Sequence, residues 1–237
     1  MKPEYSFGLL LCGLFVAGPA AMADLVVNRS IVEMAHGETR ADIVLINSDS
    51  TENLYIQVDP HVVLKPGESD QVMQKLTAED NGGLLVSPNR LVIPPGGRSL
   101  VRVLNLDAAA VSERIYRINF IPISPPVEIE SQAEDTVRSR LEVVVAYQVL
   151  VIVQPDKPAA VHSVVRTGTE AVFRNDGNSN YLMSDGEQCN PSDAADCRQL
   201  PDHRVYPGNT WQLELPFDGP FSYKLRKHGG MSVYRFD

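Results

Sequence analysis

Residues Arg138 to Val153 read RSRLEVVVAYQVLVIV. The run is too long and too β-branched for an ordinary surface strand. It is too short for a membrane span, and Glu142 and Gln148 interrupt it. Taken alternately, Leu141, Val143, Val145 and Tyr147 share one face, while Glu142, Val144, Ala146 and Gln148 share the other. Both faces are largely apolar, so the strand must be covered on both sides. A central strand is covered by its own fold. An edge strand leaves one face, and one row of backbone N–H and C=O groups, for another molecule. The function turns on which of the two it is.

Upstream and downstream of this run, helix signals are nearly absent. Alternating segments bounded by Gly, Pro, Asn or Asp predict strands at Leu25–Val32, Ala41–Asn47, Leu54–Val63, Leu85–Val86, Asn89–Ile93, Ser99–Asn105, Glu113–Ile123 and Leu141–Val153. That spacing is the pattern of an antiparallel sandwich. Gln154-Pro155-Asp156-Lys157-Pro158 then reads as a stiff linker. Strands resume at Val161–Arg166, Ala171–Asn175, Tyr181–Ser184, Thr210–Leu215, Phe221–Arg226 and Met231–Phe236, with a hairpin turn at Gly229-Gly230. Ile129–Thr136 reads as a polar loop ahead of the valine-rich strand.

The beginning of the chain has the marks of a secretory signal. Lys2 is followed by the short apolar stretch Phe7–Val16 and by Ala21-Met22-Ala23, which predicts cleavage before Asp24. The expected organisation is therefore a signal peptide at 1–23, a first domain at 24–153, a linker at 154–158 and a second domain at 159–237. Cys12 leaves with the signal. Cys189 and Cys197 remain, and an even pair in an oxidising compartment predicts a disulfide. Closing so short a loop contributes about 2–3 kcal/mol.

The net charge of −9 argues against nucleic acid and against anionic membrane surfaces. No GxSxG, HExxH, Walker loop or dinucleotide fingerprint is present. His36, His61, His162, His203 and His228 are dispersed and read as surface or loop residues, and no acid/base carboxylate pair can be nominated. No catalytic residue, metal or cofactor is expected, and the chain reads as a non-enzyme. Trp211 and Tyr223 read as core residues of the second domain.

Gly82–Leu106 (GGLLVSPNRLVIPPGGRSLVRVLNL) carries Ser87-Pro88, the turn Pro94-Pro95-Gly96-Gly97 and Arg102 on the returning strand. Ile115-Tyr116-Arg117-Ile118-Asn119-Phe120 follows, then an Ile-Pro-Ile-Ser-Pro-Pro run, then the valine-rich strand. This order resembles the periplasmic pilus chaperones of the bacterial chaperone–usher pathway, in particular their alternative or archaic branches. Asn175-Asp176-Gly177-Asn178 with Tyr181 and the two cysteines resembles the second domain of the alternative branch.

The resemblance implies an all-β fold of two immunoglobulin-like β-sandwich domains at an angle. It implies periplasmic localisation, pilus subunits (pilins) and an outer-membrane usher as partners, no nucleic acid and no membrane insertion. Such a chaperone lends its G strand to a pilin that lacks its own last strand. Here that strand would be Leu141–Gln148, with Leu141, Val143, Val145 and Tyr147 facing the pilin groove. The other register, with the even-numbered row facing out, stays open. The resemblance also implies basic residues that grip the pilin's C-terminal carboxylate. Arg117 is the first candidate, Arg102 the second and Arg29 the third; the lysine that the best-known branch carries late in the G strand is absent, with Leu150 or a neighbour in its place. The rival reading is a structural pilin or adhesin subunit.

Overall fold

The computed structural model describes residues 25–77, 79–107, 110–123 and 145–237. The expected signal at 1–23, the polar loop at 129–136 and the candidates Leu141 and Val143 lie outside the described residues. Among the described residues every regular element is a strand.

The first ten strands are β1 (Leu25–Val27), β2 (Ile31–Met34), β3 (Arg40–Asn47), β4 (Leu54–Leu64), β5 (Val72–Lys75), β6 (Leu84–Ser87), β7 (Arg90–Ile93), β8 (Arg98–Asn105), β9 (Arg114–Pro122) and β10 (Tyr147–Val153). They form two sheets, one ordered β1-β3-β8-β6 and the other β2-β10-β9-β4-β5, with β7 also on β4. Period-two alternation builds the space between them. In β3, Ile43, Leu45 and Asn47 point inward, while in β9 Tyr116, Ile118 and Phe120 do the same. The resulting core is mostly aliphatic, with Leu25, Met34, Ile56, Val101, Val103, Val149 and Val151 fully buried.

Eight further strands make a second sandwich: β11 (His162–Thr167), β12 (Glu170–Asn175), β13 (Tyr181–Asn190), β14 (Asp193–Leu200), β15 (His203–Val205), β16 (Thr210–Glu214), β17 (Phe221–Lys227) and β18 (Gly230–Phe236). One sheet is β11-β12-β16 and the other β14-β13-β17-β18, with β15 on β13. Its core is aromatic: Phe173, Tyr181, Phe221, Tyr223 and Phe236 are buried, with Trp211 packed against them. Phe173 lies edge-on to Phe236 at 5.3 Å, and Trp211 stacks between Phe173 at 5.5 Å and His203 at 4.4 Å. The chain is thus all-β, with two immunoglobulin-like sandwiches.

Two fully buried asparagines, Asn47 in the first sandwich and Asn175 in the second, end inner strands. Asn47 donates through Nδ2 to the carbonyls of Glu52 and Ile93, and Asn175 donates to those of Ser179 and Val205. Both amides tie the end of another strand, β7 at Ile93 and β15 at Val205, to an adjoining loop.

Three differences from the sequence expectation have physical causes. The strand expected over Leu25–Val32 is two strands in different sheets. Asn28 breaks it by exchanging hydrogen bonds with Val44: its N–H donates to Val44 O at 3.1 Å and its Oδ1 accepts from Val44 N–H at 2.9 Å. The hairpin β13–β14 extends well beyond Ser184, although β14 is almost wholly exposed and has no apolar alternation to announce it. The bond between Cys189 and Cys197, directly opposite in register, staples that hairpin. Finally, His61, His162 and His203 are half-buried rather than surface residues, and His203 starts a strand, β15, that was not expected.

The two sandwiches meet through an apolar cluster of Val63, Ile115, Ile152 and Tyr206, with Leu150 packed against it. Polar contacts frame it. Glu113 N–H donates to Asn178 O at 2.9 Å, and Asn209 Nδ2 donates to Pro66 O at 2.6 Å. Gly67, at φ +79°, lies so close that a Cβ there would sit 2.9 Å from both Asn209 Nδ2 and Tyr206 Cδ2. Glu113 is buried, accepts from Asn180 Nδ2 at 2.5 Å, and leaves Oε1 without a partner. Arg204 donates in turn to Asn180 Oδ1. Burial pushes the Glu113 carboxyl up from its ordinary range, against the opposing pull of the Asn180 bonds and the Arg204 charge.

Candidate functional site

The structure answers the edge-or-centre question with both. β10 pairs antiparallel with β9 along its whole length, Tyr147 to Val153. It pairs in parallel with β2 only from Leu150 to Val153. The cause is the Asn28 crossing: the chain stays with β3 through Val27 and reaches the second sheet only at Ile31. Among the described residues the second half of β10 is therefore central and the first half is an edge.

Backbone direction shows what that edge offers. Leu150 N–H donates to Ser30 O and Gln154 N–H donates to Met34 O, both at 2.9 Å. Even-numbered residues thus turn their backbone groups toward β2. By the same period, Gln148 turns its N–H and C=O to this side, two residues before β2 pairing begins.

Within β10 the odd-numbered row faces the filled core. Val149, Val151 and Val153 are buried in the first core. Tyr147, expected in a groove-facing row, packs against that same core and is only partly buried. Val145 is 44% exposed and lies two residues ahead of β10, so the strand expected over Leu141–Val153 begins, among the described residues, only at Tyr147. The sequence left two readings of this row, the protein's own core or a surface for a partner. Within β10 it is the first, while Val145, outside the strand, is exposed.

Arg117 stands on the opposite, outer face of this sheet, in a row with Leu150 on β10 and His61 on β4. Ile115, two residues away on β9, belongs to the junction cluster with Tyr206. Arg117 Nη1 donates to Gln148 Oε1 at 2.8 Å, and Gln148 Nε2 donates to Asn119 Oδ1 at 2.7 Å. Among the described residues no carboxylate lies within ion-pair distance of Arg117. The Tyr206 phenol, pushed up chiefly by burial, feels that charge as a smaller opposing effect, together with Arg204.

The other two arginines sit elsewhere. Arg102 is on β8, in the other sheet, with Nε 3.5 Å from Asp42, which also holds Arg40 at 2.6 Å. The Arg40 hydrogen bond, chiefly, holds the Asp42 carboxyl below the usual range, and Arg102 adds to it. Arg102 thus has a partner and faces outward from the other sheet, so the structure does not bring it together with Arg117. Arg29 is exposed at the crossing, next to Ser30, whose carbonyl accepts from Leu150 N–H. Its backbone is near the open edge. Sequence reading missed Gln148 as a functional side chain. It was visible as the polar interruption of an apolar run, but its link to Arg117 exists only in the cross-strand register.

No family model matches the chain. Over 183 residues it is 26% identical to a CS1 fimbrial subunit of Escherichia coli, covering 76% of each protein. Over 220 residues it is 22% identical to a CFA/I fimbrial subunit of Escherichia coli, covering 92% of this chain and 90% of the relative. Among solved structures, the class 5 fimbriae chaperone CfaA superposes with a TM-score of 0.64 at 19% identity, over 90% of this chain and 99% of that one. A Salmonella enterica complex of the SafA pilin with the SafB chaperone matches with a TM-score of 0.64 at 13% identity, over 92% and 97%. The CsuC–CsuE chaperone–subunit complex of archaic Csu pili from Acinetobacter baumannii matches with 0.59 at 12%, over 90% and 98%. The fold is the one seen in structures of pilus chaperones of the chaperone–usher pathway.

Proposed function

We propose that this chain is a periplasmic chaperone for pilus subunits. It binds a subunit that lacks one strand, completes that subunit's sheet with the strand leading into β10, and delivers it to an outer-membrane usher. The observation that carries this reading is the half-paired β10: its odd-numbered row sits in the first core, its edge opens upstream of the start of β2, and Val145, just ahead of the strand, is exposed. A subunit missing a strand has an apolar groove and an unpaired edge, both aggregation hazards. A lent strand meets both needs, with backbone hydrogen bonds along the edge and alternate side chains in the groove. Each buried valine or leucine contributes about 1.5–3 kcal/mol. Three or four, less the ordering cost, hold the subunit with no covalent chemistry.

In this reading Leu141, Val143 and Val145 are the groove-facing residues, because they share the parity of the core residues Val149 and Val151. Tyr147 marks the handover between the two environments. Arg117 holds the subunit's terminal carboxylate. Its planar fork suits that group, and its charge has no described acidic partner. Arg29 is near enough to assist, whereas Arg102 is occupied by Asp42 on the other sheet. The organisation follows: a signal at 1–23, removed on export, a lending domain to 153, a linker at 154–158 and a supporting domain from 159.

The test is co-expression with a cognate subunit. Arg117→Ala should leave the melting temperature in place and reduce co-purified subunit severely, since losing a buried charge-assisted pair costs about 2–5 kcal/mol. Wild-type recovery from folded Arg117→Ala protein would remove Arg117 from the role. The names of the two Escherichia coli relatives favour a second reading, a structural fimbrial subunit. Incorporation of this chain into purified fibres would establish it and overturn the first.

A further inference from the structure

We infer that Gln148 is a positioning residue that aims Arg117 at the carboxylate and fixes the register of the strand bound beside it; this rests on the carboxylate-anchor reading above. A guanidinium has only donors, so the Gln148 atom meeting Arg117 Nη1 at 2.8 Å must be the carbonyl oxygen. That fixes the orientation of the amide and turns Nε2 toward Asn119 Oδ1 at 2.7 Å. Asn119 faces Gln148 directly in register, and Arg117 is its diagonal neighbour on the same face. The three side chains form one ordered line, Asn119 to Gln148 to Arg117, held at both ends by the β9 backbone.

Two consequences follow from the geometry. Committing Nη1 to Gln148 leaves the Nε–Nη2 edge of Arg117 as the two-donor fork for a carboxylate. Gln148 also turns its own backbone N–H and C=O toward the open edge. The same residue therefore orients the anchor through its side chain and offers the backbone groups nearest the end of β2. A chain end seated at Arg117 has its register on that edge set by Gln148. The chemistry also explains an amide at this place. A carboxylate would pair with Arg117 and neutralise it from within, and an apolar residue would leave the fork unaimed.

The probe is a short extended peptide of alternating valine and threonine with a free C-terminal carboxylate, together with its C-amidated twin. The readouts are the affinity ratio of the two and the side-chain ¹⁵N resonances of Arg117 Nε and Gln148 Nε2. The wild-type protein should prefer the free acid by at least about tenfold, with both resonances shifting. Arg117→Ala should bring the ratio close to unity. Gln148→Glu should do the same while leaving the arginine in place, and Gln148→Met should lower the ratio several-fold. Gln148 is exposed, so both variants should fold, and Gln148→Met alone decides if Gln148→Glu does not. No preference in the wild type, or a preserved preference in Arg117→Ala, overturns the anchor and this inference with it. A lost preference in Arg117→Ala with wild-type ratios in both Gln148 variants keeps the anchor and overturns the role of Gln148.

Discussion

The two sandwiches fill their interiors and finish their edges by opposite means. The first packs aliphatic side chains and leaves one strand half paired. The second packs interlocking aromatic rings and extends its sheet with a polar hairpin closed by a disulfide. The contrast is between two ways of holding a strand at an edge, burial of one row or a covalent bond. In β10 the odd-numbered row holds the strand in a filled core, Val149 included, although β2 pairs with it only from Leu150. The second sandwich shows the converse: β14 has almost no apolar face to hold it, and a covalent bond across the pair does so instead.

The largest test of this contrast compares two positions of one row. Val151→Asp should unfold the first sandwich, since an unpaired charge in a filled core costs more than about 4 kcal/mol. Val145→Asp should leave the melting temperature close to that of wild type and abolish subunit capture. Equal destabilisation by the two would mean that the row has no open end. Next in size, replacing both Cys189 and Cys197 with serine should cost the second sandwich about 2.5 kcal/mol, because the bridge closes only a short loop. Guanidinium titration followed by circular dichroism would measure it. A loss shared equally by both sandwiches would mean that they unfold as one unit.

Gly67→Ala probes the junction. A left-handed backbone and a close approach to Tyr206 and Asn209 make it cost about 1–3 kcal/mol. Differential scanning calorimetry should then show two transitions where wild type shows one or a narrower pair. An unchanged profile would mean that the junction contributes nothing to cooperativity. The smallest effect concerns Glu113. Its carboxyl titrates above the ordinary range because it is buried, so the folded state holds a proton that the unfolded chain releases. That contribution is complete below the ordinary carboxylate range and is lost as pH rises through the raised value. Glu113→Gln should therefore gain melting temperature over wild type at about pH 8, and the gap should close toward about pH 4. Arg204, linked through Asn180, and Glu33 on β2 are the charges that act on it.

Much of this architecture was legible in the sequence, because period-two alternation is a direct image of a two-sided sheet. The core strands β3, β4, β8, β9, β12 and β17 fell where alternation placed them. The misses have two causes. β5 and β14 are exposed on nearly every residue, so burial leaves no trace in their composition. The division of Leu25–Val32 depends on Asn28 bonding to Val44, a distant partner along the chain. The candidate site was partly legible. The valine-rich strand announced itself, and Arg117 came from a motif resemblance. Which face and which sheet an arginine occupies is a property of pairing, and that separated Arg117 from Arg102. Gln148 became meaningful only when its diagonal neighbour was known.

The Trp211–His203 stack gives the molecule an internal optical reporter. Trp211 is the only tryptophan in the chain, so indole emission comes from the second sandwich alone. His203 lies 4.4 Å away and 11° from parallel, close enough for an imidazolium to quench that emission while a neutral ring does not. Burial holds the His203 pKa below the ordinary imidazole range. Emission should stay bright through neutral pH and dim on acidification while the sandwich is still folded. A dimming curve centred below the usual histidine midpoint would then time the acid response of one half of the molecule without any added label.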